Sequence, residues 1–199
     1  MFTLSLPQIA WRVARDIPDG SMVKLGAGAP ALVRDHVARD QRVMFTPDSA
    51  MTDPTSAPAL STARLSGLSP GASADILIVT ADQVSEQGAF AIQHCPVQKH
   101  QDIPASGVQQ VFVMMELFTK DGHCKLLPGC SLPLTGAGVS SIYTDLAVFD
   151  IQQGQLTLRE IVEGITLPVL QAEMEAEFFV SPRLQLLQAP KPVLPGPAC

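Results

Sequence analysis

The chain reads as an α/β protein, and three features predict it. A short apolar strand candidate at Met22-Val23-Lys24-Leu25 runs into Gly26-Ala27-Gly28-Ala29-Pro30 and then a helical run from Ala31 to Ala38. Strand, glycine turn, helix is the opening of an α/β unit. The run Asp75-Ile76-Leu77-Ile78-Val79-Thr80 is continuously apolar, as a central strand covered on both faces requires. Helical patterns also precede and follow the strand candidates, at Ile9 to Ile17 and at Leu167 to Glu177.

The elements follow in order. Ile9, Val13 and Ile17 recur at helical spacing and predict an amphipathic first helix. Val43-Met44-Phe45 is a second short strand after the glycine unit. The stretch from Pro47 to Ala72 is rich in Pro, Ser, Thr, Ala and Gly and reads as loop. A loop of that length inside a compact domain is either functional or mobile. Beyond the 75–80 strand, Gln109 to Met115 is another strand. Ile142-Tyr143 and Leu146 to Asp150 follow, with one more over Gln155 to Glu160. Gln153-Gly154 supplies the last turn. Leu167 to Glu177 reads as helix with Leu170, Met174 and Phe178 on one face. Ala189 to Cys199 holds four prolines in eleven residues and predicts an extended tail. The domain is therefore read as residues 1–186, with 187–199 as a Pro-rich tail.

Length and charge narrow the function. The 199 residues suffice for one domain with a substantial core. At 46% apolar and 16% charged, the chain is ordinarily globular. A net charge of -6 with scattered Lys and Arg gives no footprint for nucleic acid. No apolar stretch is long enough to span a bilayer, so no membrane partner is expected. The N-terminus lacks the basic start and apolar run of a secretion signal, and the default location is cytoplasmic. The four cysteines form no CxxC pair and read as reduced thiols. His94-Cys95 and His123-Cys124 form two matching pairs with a zinc reading. Two polar loop segments are the favoured reading, and no metal is expected. GAGAP is not GxGxxG, so a dinucleotide site is not supported. Its small residues still allow a ligand or a backbone to approach closely.

Four ordered segments carry a resemblance. Leu132-Pro133-Leu134-Thr135-Gly136-Ala137-Gly138-Val139, followed by Ile142-Tyr143-Thr144-Asp145-Leu146-Ala147-Val148-Phe149-Asp150, is similar to LPLTGxGVV…IxTDLAVFD. Ala74 to Ile78 with Gln83 to Gly88 is similar to DLAILGAxQVSxxGD. Lys24 to Val33 is similar to NLGIGIPTLV. Met115-Glu116 through Thr119-Lys120-Asp121-Gly122 is the fourth. The chain is identified on these as resembling the B (β) subunit of class I CoA-transferases, the 3-oxoacid and acetate family.

The resemblance implies an open, mostly parallel sheet with helices on both faces, of the NagB/RpiA-like kind. It implies a partner, the A-type (α) chain of a CoA-transferase, in an α2β2 assembly, with an acyl-CoA and a small carboxylic acid as substrates. It also implies covalent catalysis by a carboxylate, which needs no metal or organic cofactor because the coenzyme A thioester is itself substrate. The site residues it suggests are Asp48 as nucleophile, with Gly26, Gly28, Ser49, Gly136 and Gly138 lining the substrate or CoA site.

Three departures surround that site. The family carries its glutamate in Ser-Glu-Asn-Gly; the corresponding residues here are Pro47-Asp48-Ser49-Ala50. A carboxylate withdrawn by about 1 Å can cost on the order of 10²-fold in rate, unless a reshaped turn at Pro47 moves the backbone inward. Asp48 is thus either a working nucleophile in a modified loop or a loop aspartate at a site that no longer performs transfer. The stretch between this loop and the 75–80 strand is shorter than the family's. The glycine-rich GMGGAMDL segment, whose N–H groups help hold the thioester oxygen, is replaced by Cys95 to Gly107, with few glycines. Single positions differ too, at Ala89, Leu117 and Ala137. Alternatives to transfer are another CoA-thioester reaction, such as cofactor-free decarboxylation or hydrolysis, and a non-catalytic partner role.

Overall fold

The computed structural model describes residues 3–46, 74–93 and 108–190. The elements below belong to those residues. Asp48, Ser49, the loop read over 47–72, the His94-Cys95 pair, the segment from Cys95 to Gly107 and most of the Pro-rich tail lie outside them.

The N-terminal helix α1 spans Leu6–Ala14. The strands are β1 (Met22–Leu25), β2 (Met44–Phe45), β3 (Ala74–Thr80), β4 (Gln83–Ser85), β5 (Phe90–Ala91), β6 (Val108–Met114), β7 (Leu126–Leu127), β8 (Val139–Tyr143), β9 (Ala147–Gln152), β10 (Gln155–Val162) and β11 (Phe179–Leu187). Helix α2 spans Leu167–Glu173. Eight strands form one sheet in the order β11-β10-β9-β8-β6-β3-β1-β2. Neighbours are parallel except at β8–β9 and β9–β10, which are antiparallel hairpin partners. The turn between the latter uses Gln153 and Gly154, both at positive φ, as the Gln-Gly pair predicts.

The alternation of side chains divides the core in two. Val23, Leu25, Ile76, Ile78, Phe112 and Met114 face α1, which buries Ile9, Ala10 and Val13 against them. Leu77, Val79, Val111, Val113, Phe149 and Leu158 face the other way, toward Leu170 of α2. The apolar run 76–79 therefore feeds both faces, which is why it shows no polar alternation. Helices lie on both faces, but a second, three-stranded sheet of order β5-β4-β7 also covers the α2 side, with Val84, Phe90 and Leu126 packed into that core. Its strands are two or three residues long, too short for a period-two pattern to register.

Two expected helices take another form. The run predicted over Ala31 to Ala38 is a 3₁₀-helix over Ala29–His36, with Pro30 and Val33 buried. Spacing of three is the 3₁₀ repeat. The helix predicted to Glu177 stops at Glu173, because Met174 turns extended (φ −90°, ψ 139°). Phe178 still reaches the core from an extended segment, edge-on to Phe149 with ring centroids 5.7 Å apart. Strand β11 takes in Leu187, the first residue of the stretch read as tail, and buries it on the α1 side.

Candidate active site

In open α/β sheets, ligands bind beyond the carboxyl ends of the parallel strands. Here that edge is built by the residues after β1, β2, β3, β6 and β8. After β1, Gly26 extends the ladder by donating its N–H to Ile78 O at 2.7 Å. A Cβ at Gly26 would stand 3.2 Å from that same carbonyl oxygen and 3.4 Å from Val79 Cγ1. The position is therefore small because β3 crowds it. Gly28 differs. Its φ of 84° and ψ of −132° suit glycine, yet the space around it is open. It is the residue that turns the chain from strand into 3₁₀-helix, its carbonyl accepting from Ala31 N at 3.0 Å. Parallel to β1 runs β2, with Val23 level with Phe45. Thr46 N donates to Val23 O at 3.0 Å. The chain thus leaves β2 at the edge where Gly26 and Gly28 lie, and Asp48 and Ser49 come next in sequence.

Two carboxylates stand at the same edge that were not among the predicted site residues. Glu116 is exposed just after β6. Asp145 follows β8, and its Oδ1 accepts the Leu117 N–H at 2.8 Å. Burial pushes the Asp145 carboxyl above the usual carboxylate range, the Leu117 N–H opposes this, and the nearby Glu116 charge adds to it. Glu116 directly follows the apolar run Val111 to Met115, and Asp145 follows β8 after Thr144; position just past a strand is the one signal in the sequence that marks them. Thr144 shapes the turn between them and β9: its hydroxyl donates to Ala147 O at 2.8 Å and accepts from Ala147 N at 2.9 Å. The backbone carbonyl of Asp145 accepts from Leu4 N at 2.8 Å, so the N-terminal segment also crosses this edge.

Gly136 and Gly138 lie elsewhere. They precede β8 instead of following a strand. Gly136 exchanges two backbone hydrogen bonds with Phe90 of β5, at 2.8 and 3.2 Å, and so joins the small sheet to the large one. Val139 is level with Val111, Val111 with Leu77, and Leu77 with Lys24. Gly138 and Gly26 are then three strands and about three residue levels apart, roughly 17 Å. The structure brings Gly26 and Gly28 together with the exit of β2, and sets Gly136 and Gly138 at the other end of the strands. Only an elongated ligand touches both pairs.

Of the two His-Cys pairs, His123-Cys124 lies among the described residues. Cys124 is buried and donates its thiol to Leu126 O at 3.2 Å, and burial raises its pKa. Among the described residues no group of three or more His, Cys, Asp or Glu is placed to hold a metal.

The fold has clear counterparts among solved structures. An acyl-CoA transferase from Escherichia coli O157:H7 superposes over 94% of this chain and 45% of its own, with a TM-score of 0.65 at 16% identity. The decarboxylase AibA/AibB superposes over 94% and 90%, with a TM-score of 0.62 at 16% identity. These likenesses define an α/β fold shared with an acyl-CoA transferase and a decarboxylase. Sequence relatives go further. The B subunit of 3-oxoadipate CoA-transferase from Pseudomonas putida is 35% identical, over 84% of this chain and 93% of its own. The B subunit of a probable succinyl-CoA:3-ketoacid coenzyme A transferase from Bacillus subtilis is 30% identical, over 85% and 93%. The chain belongs to the B-subunit family of CoA-transferases. No family model matches it. No helix among the described residues is long and apolar enough to cross a membrane.

Proposed function

We propose that this chain works with an A-type (α) partner chain, in an α2β2 assembly, to move coenzyme A from an acyl-CoA to a small carboxylic or 3-oxo acid, with Asp48 as the covalent carboxylate. The observation that carries the reading is the delivery of the chain from β2 to the carboxyl edge beside Gly26 and Gly28, in a member of the B-subunit family of CoA-transferases.

The chemistry proceeds by two exchanges at the enzyme carboxylate. The Asp48 carboxylate attacks the thioester carbonyl, and CoA leaves as thiolate from a mixed anhydride. The thiolate then attacks the Asp48 carbonyl of that anhydride and expels the first carboxylate, leaving an enzyme–CoA thioester. The acceptor carboxylate attacks this thioester and releases the thiolate again. Attack of the thiolate on the acceptor acyl carbonyl gives the new acyl-CoA and restores Asp48. The reading needs neither metal nor organic cofactor, and takes the cytoplasm as the location. Gly28 leaves room for the thioester at the edge and Gly26 holds β1 close to β3 beneath it; Gly136 and Gly138 serve the far part of the CoA.

The test is to incubate the αβ complex with acyl-CoA alone and trap the intermediate with hydroxylamine or borohydride. The expected result is a hydroxamate or reduced adduct on the peptide containing Asp48, with ping-pong kinetics. A folded complex that gives no adduct, or an Asp48→Ala complex of unchanged activity, overturns the assignment. Release of CO2, or net hydrolysis without an acceptor acid, replaces transfer with another thioester reaction.

A further inference from the structure

At the exit of β2, Thr46 carries a hydroxyl that the fold does not use. Its Oγ1 is shielded from solvent and has no hydrogen-bond partner. The backbone beneath it is fixed, because Thr46 N extends the β1–β2 ladder by donating to Val23 O at 3.0 Å. Phe45, level with Val23, packs on the α1 side of the sheet, with the Arg34 guanidinium 5.3 Å from its ring centre. Alternation turns Thr46 to the opposite face, the face of Lys24 and Gly26 in β1.

A buried polar group without a partner costs stability. Valine would keep the branched shape and the strand preference and remove that cost. The hydroxyl therefore has no part in holding the strand. A buried polar atom left unpaired in this way points to a group that comes to it during function.

Its position names that group. In the order β6-β3-β1-β2, the chain moves outward from β1 to β2 and then back past β1 to β3. Such a reversal is the topological switch point, where open α/β sheets take their ligands. Thr46 stands there, two residues before Asp48 along the chain. The thioester that Asp48 forms with CoA is built on the same exit. When an acceptor carboxylate attacks that thioester, the carbonyl electron pair moves onto oxygen and returns as the thiolate leaves. A donor aimed at that oxygen lowers the barrier, most of all where water is excluded. The glycine-rich segment whose N–H groups do this in the resembling family is replaced here by Cys95 to Gly107, with few glycines.

We propose that the Thr46 hydroxyl is the hydrogen-bond donor to the thioester oxygen of the enzyme–CoA intermediate. The proposal rests on the transfer reading above and adds to it a donor for the charge that develops during each exchange.

The test compares Thr46→Val, Thr46→Ala and Thr46→Ser in the αβ complex. Adduct formation from acyl-CoA in a single turnover and steady-state transfer give the rates; thermal unfolding of the free complex gives the stability. Thr46→Val and Thr46→Ala are expected to lower kcat on the order of 10²-fold, with KM for acyl-CoA little changed. Thr46→Ser keeps the hydroxyl and most of the rate. Thr46→Val melts no lower than the unmodified complex, because it removes an unpaired polar atom. Unchanged kcat in the valine and alanine variants overturns the proposal and leaves transfer by Asp48 standing. A serine variant as slow as the valine one, or a slow valine variant that also melts lower, overturns it too, since shape or folding and not the hydroxyl is then what the reaction needs. An unmodified complex that forms no adduct overturns both readings.

Discussion

Arg12 on α1 grips Glu160 on β10 with two guanidinium contacts across a sequence separation of 148 residues, Nε donating to Oε2 at 2.7 Å and Nη2 to Oε1. Both side chains are buried, at 10% and 7% exposure. Arg12 also donates to Asp16 Oδ1 at 2.8 Å. Asp16 Oδ2 accepts from the Tyr143 hydroxyl at 2.7 Å and from Arg159. Both guanidinium carbons lie 5.9 Å from the Tyr143 ring centre. The N-terminal helix is thereby fixed to the antiparallel end of the sheet by ions as well as by Ile9 and Val13.

Glu160→Ala is expected to cost about 3–5 kcal/mol in denaturant unfolding, because it strands a buried guanidinium. The paired replacement Arg12→Met/Glu160→Leu removes both charges and keeps the volume, so it costs much less than the two single alanine changes summed. A loss under about 1 kcal/mol for Glu160→Ala would show that Asp16 alone can hold Arg12.

Asp16 sets an acid limit. Burial alone would raise its carboxyl pKa, but hydrogen bonds from Arg12 and Tyr143 and the two guanidinium charges carry it below the usual range. A carboxylate depressed in the folded state contributes stability above its unfolded pKa of about 3.9 and loses it as pH falls through the folded value. Stability should therefore decline on acidification below about pH 4. Asp16→Asn should flatten that decline, as thermal melts from pH 2 upward will record.

Asp145 carries the opposite sign. Its folded pKa is raised, chiefly by burial, so its contribution to stability is largest below the unfolded pKa and falls as pH rises through the folded one. Asp145→Asn keeps an acceptor for Leu117 N–H and removes the buried charge. Its stability should fall less than that of the unmodified chain as pH rises above the unfolded carboxylate pKa of about 3.9. A steeper fall in the variant would mean that the charge is stabilising.

Gly28 and Gly26 separate by mechanism. Gly28→Ala meets open space but must hold φ near 84°, for a cost of about 1–3 kcal/mol. Gly26→Ala has ordinary backbone and too little room, 3.2 Å from Ile78 O, so β1 must shift away from β3. If the edge binds the thioester, Gly26→Ala raises KM for acyl-CoA in the αβ complex, whereas Gly28→Ala acts mainly on thermal stability. Equal KM changes would remove that distinction.

Legibility followed the physics of each element. The apolar run 76–79 and the spacing of Ile9, Val13 and Ile17 are local consequences of burial, so strand and helix could be read directly. Gly26 and Gly28 were legible as a strand-to-helix turn. That Glu116 and Asp145 share an edge with that turn was not legible, because their place depends on the order β8-β6-β3-β1 in the sheet. That Gly136 and Gly138 lie at the opposite end of the strands from Gly26 was not legible for the same reason: glycine content does not say which end of a strand a residue occupies.

The sequence by itself determined the α/β class, most strands and the family, since each is written in composition, periodicity or ordered motifs. Tertiary structure alone decided the ion network. Strict period-two alternation in β10 would place Glu160 with Leu158, toward α2. A bulge between Leu158 and Glu160 breaks the phase, so that Arg159 and Glu160 both turn toward α1, where Asp16 and Arg12 meet them. A shift of one residue in register reverses the face of every side chain beyond it. That shift is set by pairing with β9 and β11, not by β10 alone.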